Sequence, residues 1–329
     1  MNSSGRLFRV EIFGESHGPA LGVLIDGIPP GTALDFSDFS ADIARRRGGQ
    51  EGTTTRIESD MPEILSGWYR GKASGTPMLI LFRNKDTRPS DYEAFRAMPR
   101  PGHADFVSGI RYGGFADPRG SGHFSGRITL AIVAAGVVAK RILPGASFDT
   151  KIIEAGGSKD IMAAVKKAEA EGDSVGAIVE IRILGLKAGL GEPFFDSVEG
   201  LLAKNLFAVP GVRAVEFGDG FAAANMTGSE HNDPYIGPDG KTAKNGAGGI
   251  NGGISNGAEL VVRVAMKPAS SIKKAQKTWN TKSSSIEELS VPGRHDPCIA
   301  LRGAVALEAA IAIALADLEL LSRSRSCTE

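Results

Sequence analysis

Two of the chain's five histidines sit in glycine-flanked loops, His17 in Ser16-His17-Gly18 and His103 in Pro101-Gly102-His103-Ala104-Asp105. Imidazole titrates near neutrality, so either ring is a candidate proton donor, although a lone loop histidine is more often an exposed surface residue. Arg100 and Asp105 bracket the second. His123 stands between Gly122 and Phe124, and Ser125-Gly126-Arg127 then opens an apolar segment. If that segment is a helix, its first backbone N–H groups suit a phosphate. Lys267-Pro268-Ala269-Ser270-Ser271 follows the same logic, with a cation, a proline fit for a first helical position and two hydroxyls. Ordinary helix capping is the plain account of both. Gly293-Arg294-His295-Asp296-Pro297 puts a guanidinium two residues from a carboxylate, where an ion pair or an N-cap is the default.

Arg45, Arg46 and Arg47 crowd the end of a predicted helix. Successive helical residues splay by about 100°, so at most one or two of the three can face a common pocket. Arg56, Arg88, Arg100, Arg111, Arg119 and Arg127 follow in the next polar stretch. Arginines concentrated in glycine-rich loops fit a site for a small, multiply charged anion.

The charge must be local, because 38 Lys and Arg balance 38 Asp and Glu over 329 residues. No bulk attraction to nucleic acid or membrane follows. Two cysteines, Cys298 and Cys327, give neither a disulfide framework nor a zinc set, so no metal is expected. The longest apolar run, Thr129 to Ala139, is far below the roughly 20 residues that span a bilayer. A charged N-terminal stretch does not match a signal peptide, and a cytoplasmic protein is expected.

Three short motifs compete for the function. Gly14-Glu15-Ser16-His17-Gly18 fits the nucleophile elbow of a serine hydrolase, but Pro19, Gly22, Val23 and Ile25 predict a strand where a helix is required. Gly218-Asp219-Gly220 through Ala223 fits a dinucleotide-binding pattern, and so a nicotinamide or flavin oxidoreductase, but Gly228 cuts the required helix short. Gly240-Lys241-Thr242 would end a phosphate loop, yet Tyr235 stands where its first glycine belongs.

These residues need elements to hold them. Alternation predicts strands over Leu7–Phe13, Gly22–Ile28, Pro77–Phe82, Val175–Ile183, Val212–Phe217 and Glu259–Met266, and helices over Ser37–Arg47 and Asp160–Gly172. Arg127–Leu143 and Ala304–Leu321 are apolar nearly all round, the second interrupted chiefly by Glu308 and Asp317. Helices of that kind lie between other layers. Residues 14–23 faintly match 253–262, and an Asp-Pro precedes each apolar helix. The expectation is an α+β fold: one domain over 1–329, a layered sandwich of two central helices between antiparallel sheets with an internal pseudo-twofold repeat, and a short flexible tail from about 323.

Longer words in one order make the match specific. FGESHGPALGVLIDGIPPG (13–31), RRRGGQEGTTTRIESD (45–60), RPGHADFVSGIRYGG (100–114), SGHFSGR (121–127), NGAGGINGGISNG (245–257), MKPASS (266–271) and GRHDPC (293–298) closely resemble the chorismate synthase family. The resemblance implies a lyase that removes phosphate from 5-enolpyruvylshikimate 3-phosphate by trans-1,4 elimination, using reduced FMN without net oxidation. It also implies a homotetramer and names NADPH as a candidate reductant. By the same resemblance His17 protonates the departing phosphate, His103 protonates reduced flavin, and Asp296 draws a proton from the flavin, with Ser16 and Ser125 in support. FMN contacts carry over to His123, Phe124, Ser125, Pro210, Gly211, Gly252, Lys267, Pro268, Ala269, Ser270, Ser271 and Arg294. Arg46, Arg47, Arg127 and Arg294 become candidates for the anionic substrate or NADPH. His123-Phe124-Ser125 departs from the common Arg-Ser-Ser, and Gly52 and Gly246 stand where many members carry a basic residue.

Overall fold

A computed structural model describes residues 2–55, 58–85, 95–238, 240–291, 293 and 295–325. Two antiparallel sheets enclose a helical layer. The first sheet takes β1 (Ser3–Ser4), β2 (Arg9–Gly14), β3 (Ala20–Asp26), β4 (Glu63–Ser66) and, after the small hairpin β5 (Trp68–Tyr69) and β6 (Lys72–Ala73), β7 (Met78–Arg83), in the order β1-β2-β3-β7-β4. The second takes β8 (Ser147–Ala155), β9 (Ala177–Leu184), β10 (Val212–Phe217) and, beyond the hairpin β11 (Ile250–Asn251) and β12 (Ile254–Ser255), β13 (Leu260–Met266), in the order β10-β13-β9-β8. A separate hairpin joins β14 (Gln276–Asn280) and β15 (Ser285–Leu289). Met78, Ile80 and Phe82 of β7, and Ala177, Val179, Ile181 and Ile183 of β9, turn to the core at period two.

The helices are α1 (Ser40–Arg46), α2 (Asp105–Arg111), α3 (Thr129–Lys140), α4 (Ile161–Ala170), α5 (Val198–Leu206), α6 (Gly228–His231) and α7 (Ala300–Ser324). The two apolar segments become α3, which packs on β3 and β2, and α7, which packs on β8 and β9. They also pack on each other. A Cβ on Gly136 would come within 2.3 Å of the Ala309 Cβ, so only glycine lets the helices approach this closely. The expected α+β sandwich is therefore present. Its two matched segments, 14–23 and 253–262, feed the interior strands β3 and β13 of the two sheets.

Some elements carry no clear sequence signal. β8 alternates, but it is an edge strand whose outer face holds Asp149 and Lys151, which masks the pattern. α2 buries none of its residues and so has no apolar period to read. α5 does have one, with Ser197 capping Gly200 N–H and Val198, Leu202 and Leu206 buried four apart. α7 continues to Ser324, and Arg323, read as the start of the tail, bonds Glu319 at 2.8 Å and the Ile142 carbonyl at 3.1 Å.

The two charges that interrupt α7 each fasten a neighbour to it. Asp317 accepts the backbone N–H groups of Arg6, Leu7 and Phe8 at 2.7–2.9 Å, which docks the start of β2. Glu308 accepts from Arg45 of α1 at 2.6 Å, from Thr150 of β8 at 2.6 Å and from Lys140 of α3. Burial opposes ionisation of Glu308, but the Arg45 hydrogen bond and the Lys140 charge draw it from 4.5 down to about 2. A carboxylate depressed by folding stabilises the fold above its unfolded value and loses that contribution as pH falls through its folded value. Glu308→Gln is expected to cost about 1–3 kcal/mol at pH 7, since Arg45 and Lys140 keep some access to water. The difference between wild-type and variant melting temperatures should shrink from pH 4.5 toward pH 2. A difference independent of pH would refute the ionic account.

Candidate active site

The site assembles where the ends of α1, α3 and α7 meet the loops leaving both sheets. They enclose a cavity of about 870 Å³, within the usual range for a small-molecule site. Among the described residues Arg46, Arg47, Arg100, Arg127, Arg213, Lys267 and Arg302 line it against three carboxylates, Glu58, Asp60 and Asp296. Ile132, Val209, Met266 and Ile299 supply apolar wall.

The triple arginine divides as helix geometry requires. Arg45 turns away to Glu308, whereas Arg46 and Arg47 reach the cavity. Arg47 joins Arg46 because the chain leaves the helix there, with φ −66° and ψ 147°. Arg46 is buried and donates from Nη2 to the carbonyls of Gly126 and Arg127 at 2.9 and 3.0 Å, and from Nε to Thr129 Oγ1 at 3.2 Å. It thus clamps the start of α3. Burial first, then repulsion from Arg302 and Arg127, pulls its guanidinium down to about 9, so it is still cationic at neutral pH. Arg127 pairs with Asp60, whose second oxygen stays 3.7 Å from Arg46 Nη1. Arg46 Nη1, Arg47 Nε and Arg127 Nη2 are buried with no hydrogen-bond partner among the described residues. Buried donors of this kind are costly unless a ligand meets them.

Asp296 also lines the cavity. Its Oδ1 accepts the Thr54 N–H and its Oδ2 accepts Arg302 Nη1, both at 2.8 Å. It caps nothing, because α7 begins beyond Ile299 with no side-chain cap. Arg302 in turn donates to the Arg46 carbonyl at 2.9 Å, which ties the carboxylate to the arginine cluster.

Across the cavity His103 Nδ1 lies 2.7 Å from Asp105 Oδ1. His123 Nδ1 is 2.8 Å from the Gly14 carbonyl, which can only accept, so Nδ1 carries the proton. Ser125 Oγ accepts the Arg127 N–H at the short 3-10 turn before α3, the capping alternative. Phe124, Pro210, Gly211, Ala269, Ser270 and Ser271 all line the cavity. No helix follows Lys267: its Nζ bonds Ser270 Oγ at 2.7 Å and the Gly102 carbonyl, so this segment is a braced loop with a cation. Burial, then the nearby Arg213, lowers the Lys267 amine.

Other expected residues fall elsewhere. Ser16 and His17 are buried but lie outside the cavity lining, beneath Gly120, where a Cβ would meet His17 Nδ1 at 1.9 Å. Gly252 is exposed on the β11–β12 hairpin and does not reach this cavity. Pro268 is absent from the lining although both its neighbours belong to it. Arg294, like Arg56, Arg88 and Cys327, lies outside the described residues.

Sequence reasoning did not single out Asp60, Glu58, Arg213, Arg302 or Thr54. Asp60 has φ 47°, a conformation that nothing in its neighbours announces. Arg302 had a signal, since α7 starts four residues earlier than its apolar run and carries a cation in that first turn. The competing motifs fail in space. Strand β3 follows Ser16, with no helix, and Gly220–Asn225 is a short 3-10 turn. Among the described residues no group of carboxylate, histidine and cysteine side chains could hold a metal.

Such a cavity has the charge and the unpartnered donors that suit a small polyanion, with titratable side chains beside them. The sequence profile of chorismate synthase matches residues 8–320. A chorismate synthase of Chitinophaga pinensis is 56% identical over 324 residues, covering 98% of each chain. One of Dehalococcoides mccartyi is 42% identical, over 97% of this chain and 96% of its own. A crystal structure of a chorismate synthase superposes with a TM-score of 0.74 at 26% identity, covering 97% of this chain and 93% of that one. The chain belongs to the chorismate synthase family, and it is a carbon–oxygen lyase of the shikimate pathway.

Proposed function

We propose that this cavity carries out the family's trans-1,4 elimination, releasing phosphate from 5-enolpyruvylshikimate 3-phosphate to leave chorismate, with reduced FMN as cofactor. The observation that carries the reading is the set of guanidiniums Arg46, Arg47 and Arg127, each with one buried nitrogen still unpartnered among the described residues, beside Asp296. A substrate with two carboxylates and a phosphate supplies the missing acceptors.

The residues also fit FMN. Ile132, Val209, Met266, Ile299 and Phe124 offer apolar surface to a flat ring, and Lys267, Ser270 and Ser271 offer donors to its phosphate. Pro210, Gly211, Ala269 and His123 complete that wall. When bound, the reduced flavin would supply an electron-rich ring that exchanges a proton and an electron without net oxidation.

Arg46, Arg47 and Arg127 hold the anionic groups, and Asp60 fixes the Arg127 fork. Asp296, kept in place by Thr54 and Arg302, is the carboxylate that accepts the proton. His103 moves a proton at the cavity wall, and His17, supported by Ser16, supplies one to the departing phosphate. NADPH would meet the same cations if it serves as reductant.

A homotetramer accords with the surface, where Phe194 and Phe195 are 88% and 97% exposed and α2 shows Phe106, Val107 and Ile110 to solvent. A cytoplasmic location accords with the buried free thiol of Cys298. No helix among the described residues is long and apolar enough to cross a membrane.

Under anaerobic conditions with chemically reduced FMN, the protein is expected to form chorismate and phosphate in equal amounts, and to form neither when FMN is oxidised. Sustained product formation in air with oxidised FMN and no reductant would overturn the reading.

A further inference from the structure

We infer that Asp105 is the positioning residue for His103, holding the ring as the Nδ1–H tautomer so that Nε2 is the nitrogen that takes up and releases the proton. The inference rests on the reading of His103 as a proton carrier and extends it to a second residue and to one atom.

The geometry around the ring has one consistent assignment. His103 Nδ1 is 2.7 Å from Asp105 Oδ1 and 3.1 Å from Arg100 Nη2. A carboxylate only accepts and a guanidinium only donates, so Nδ1 cannot satisfy both. The shorter contact, to an anion, puts the proton on Nδ1 and leaves the Arg100 approach as mere proximity. Nε2 is left for the cavity that His103 lines. A proton can then arrive at Nε2 and leave from it while the Nδ1 proton stays in place.

Arg100 keeps Asp105 in that role. It grips the carboxylate at both oxygens, Nε to Oδ2 at 2.8 Å and Nη2 to Oδ1 at 2.7 Å, and its own backbone N–H adds a bond to Oδ2 at 3.0 Å. Burial works against ionisation of Asp105, yet the hydrogen bonds from Arg100 and His103 hold its carboxyl well below the usual range. The same guanidinium donates to Ser271 Oγ and Ser121 Oγ, both at 2.9 Å. One buried arginine therefore joins the His103 pair to the Lys267–Ser271 loop and to the turn that covers His17. An ion pair serving only the fold would need the Arg100 bonds and would place no demand on the histidine tautomer.

Histidine-selective ¹⁵N NMR reads the tautomer directly, without cofactor or substrate, with the His103 signal assigned by its loss in His103→Gln. Wild-type protein above the titration of the ring is expected to show the Nδ1–H form. In Asp105→Ala, Arg100 Nη2 becomes the nearest partner of Nδ1 and can only donate, so the ring should change to the Nε2–H form. Turnover should fall by roughly 10²–10⁴-fold, the range that one positioned acid–base group contributes, a wrong histidine tautomer costing about 10⁴. An Nε2–H ring in the wild type overturns the inference even if the variant fails to fold. So does a variant whose tautomer is unchanged. His103→Ala tests the underlying reading separately: full turnover there would remove His103 from the chemistry while leaving the Asp105 tautomer result standing.

Discussion

Asp296→Asn is expected to lower turnover by roughly 10²-fold or more, with FMN affinity largely retained and the melting temperature lowered by only a few degrees. A helix-capping role would predict no change, because asparagine caps as well as aspartate. The structure removes that account, since α7 starts beyond Ile299 and Asp296 spends both oxygens on Thr54 and Arg302. An asparagine can accept from only one of those two donors and must turn its amide hydrogens toward the other. The stability cost is that of one impaired hydrogen bond, about 1–3 kcal/mol. The catalytic cost is of another kind, because an amide has no basic oxygen that accepts a proton near neutrality. Turnover measured with reduced FMN and melting measured on the same sample separate the two. More than about half of wild-type activity in a folded variant would mean that the proton leaves by another route.

The contrast between Asp296 and Arg302 shows how far the sequence is legible. Asp296 could be found because its neighbours form a rare word and because a carboxylate before an apolar helix is conspicuous. Its partner is harder to read, since Arg294 is two residues away in sequence whereas Arg302 is six residues away, in the first turn of α7. A hydrogen bond between a loop and a helix depends on where the helix begins, and boundaries are the weakest part of any pattern reading. The same limit explains Asp60 and Thr54, which are brought to the cavity by an irregular loop with no period. The layers were legible for the opposite reason. α3 and α7 are apolar nearly all round, and β7 and β9 alternate cleanly, so burial left its mark on most residues. Gly252 shows a third case: its motif is plain, but the fold of one chain leaves it exposed on a hairpin and away from the cavity.

His17→Ala is expected to reduce turnover by roughly 10²-fold or more, the usual worth of one general acid, with FMN binding nearly intact. The difficulty is access, because the ring is only 8% exposed and Gly120 is packed against it. The covering turn is unusual in that Gly120, Ser121 and Gly122 all take positive φ, 59°, 69° and 52°. Ser121 can hold that conformation because Arg100 anchors its hydroxyl, and the Gly122 carbonyl accepts the Ser16 N–H at 3.1 Å. His17 is therefore one residue's thickness from the cavity, and the thickness is a glycine with no side chain. Gly120→Ala supplies the second half of the test. Its methyl would collide with both His17 Nδ1 and Ser16 Oγ, so it should displace the ring and lower turnover although every acid–base group is still present. If His17→Ala keeps full turnover while Gly120→Ala loses it, the turn matters for shape alone and the phosphate takes its proton from another donor. Loss in both, with FMN still bound, is the result that an acid working past Gly120 requires.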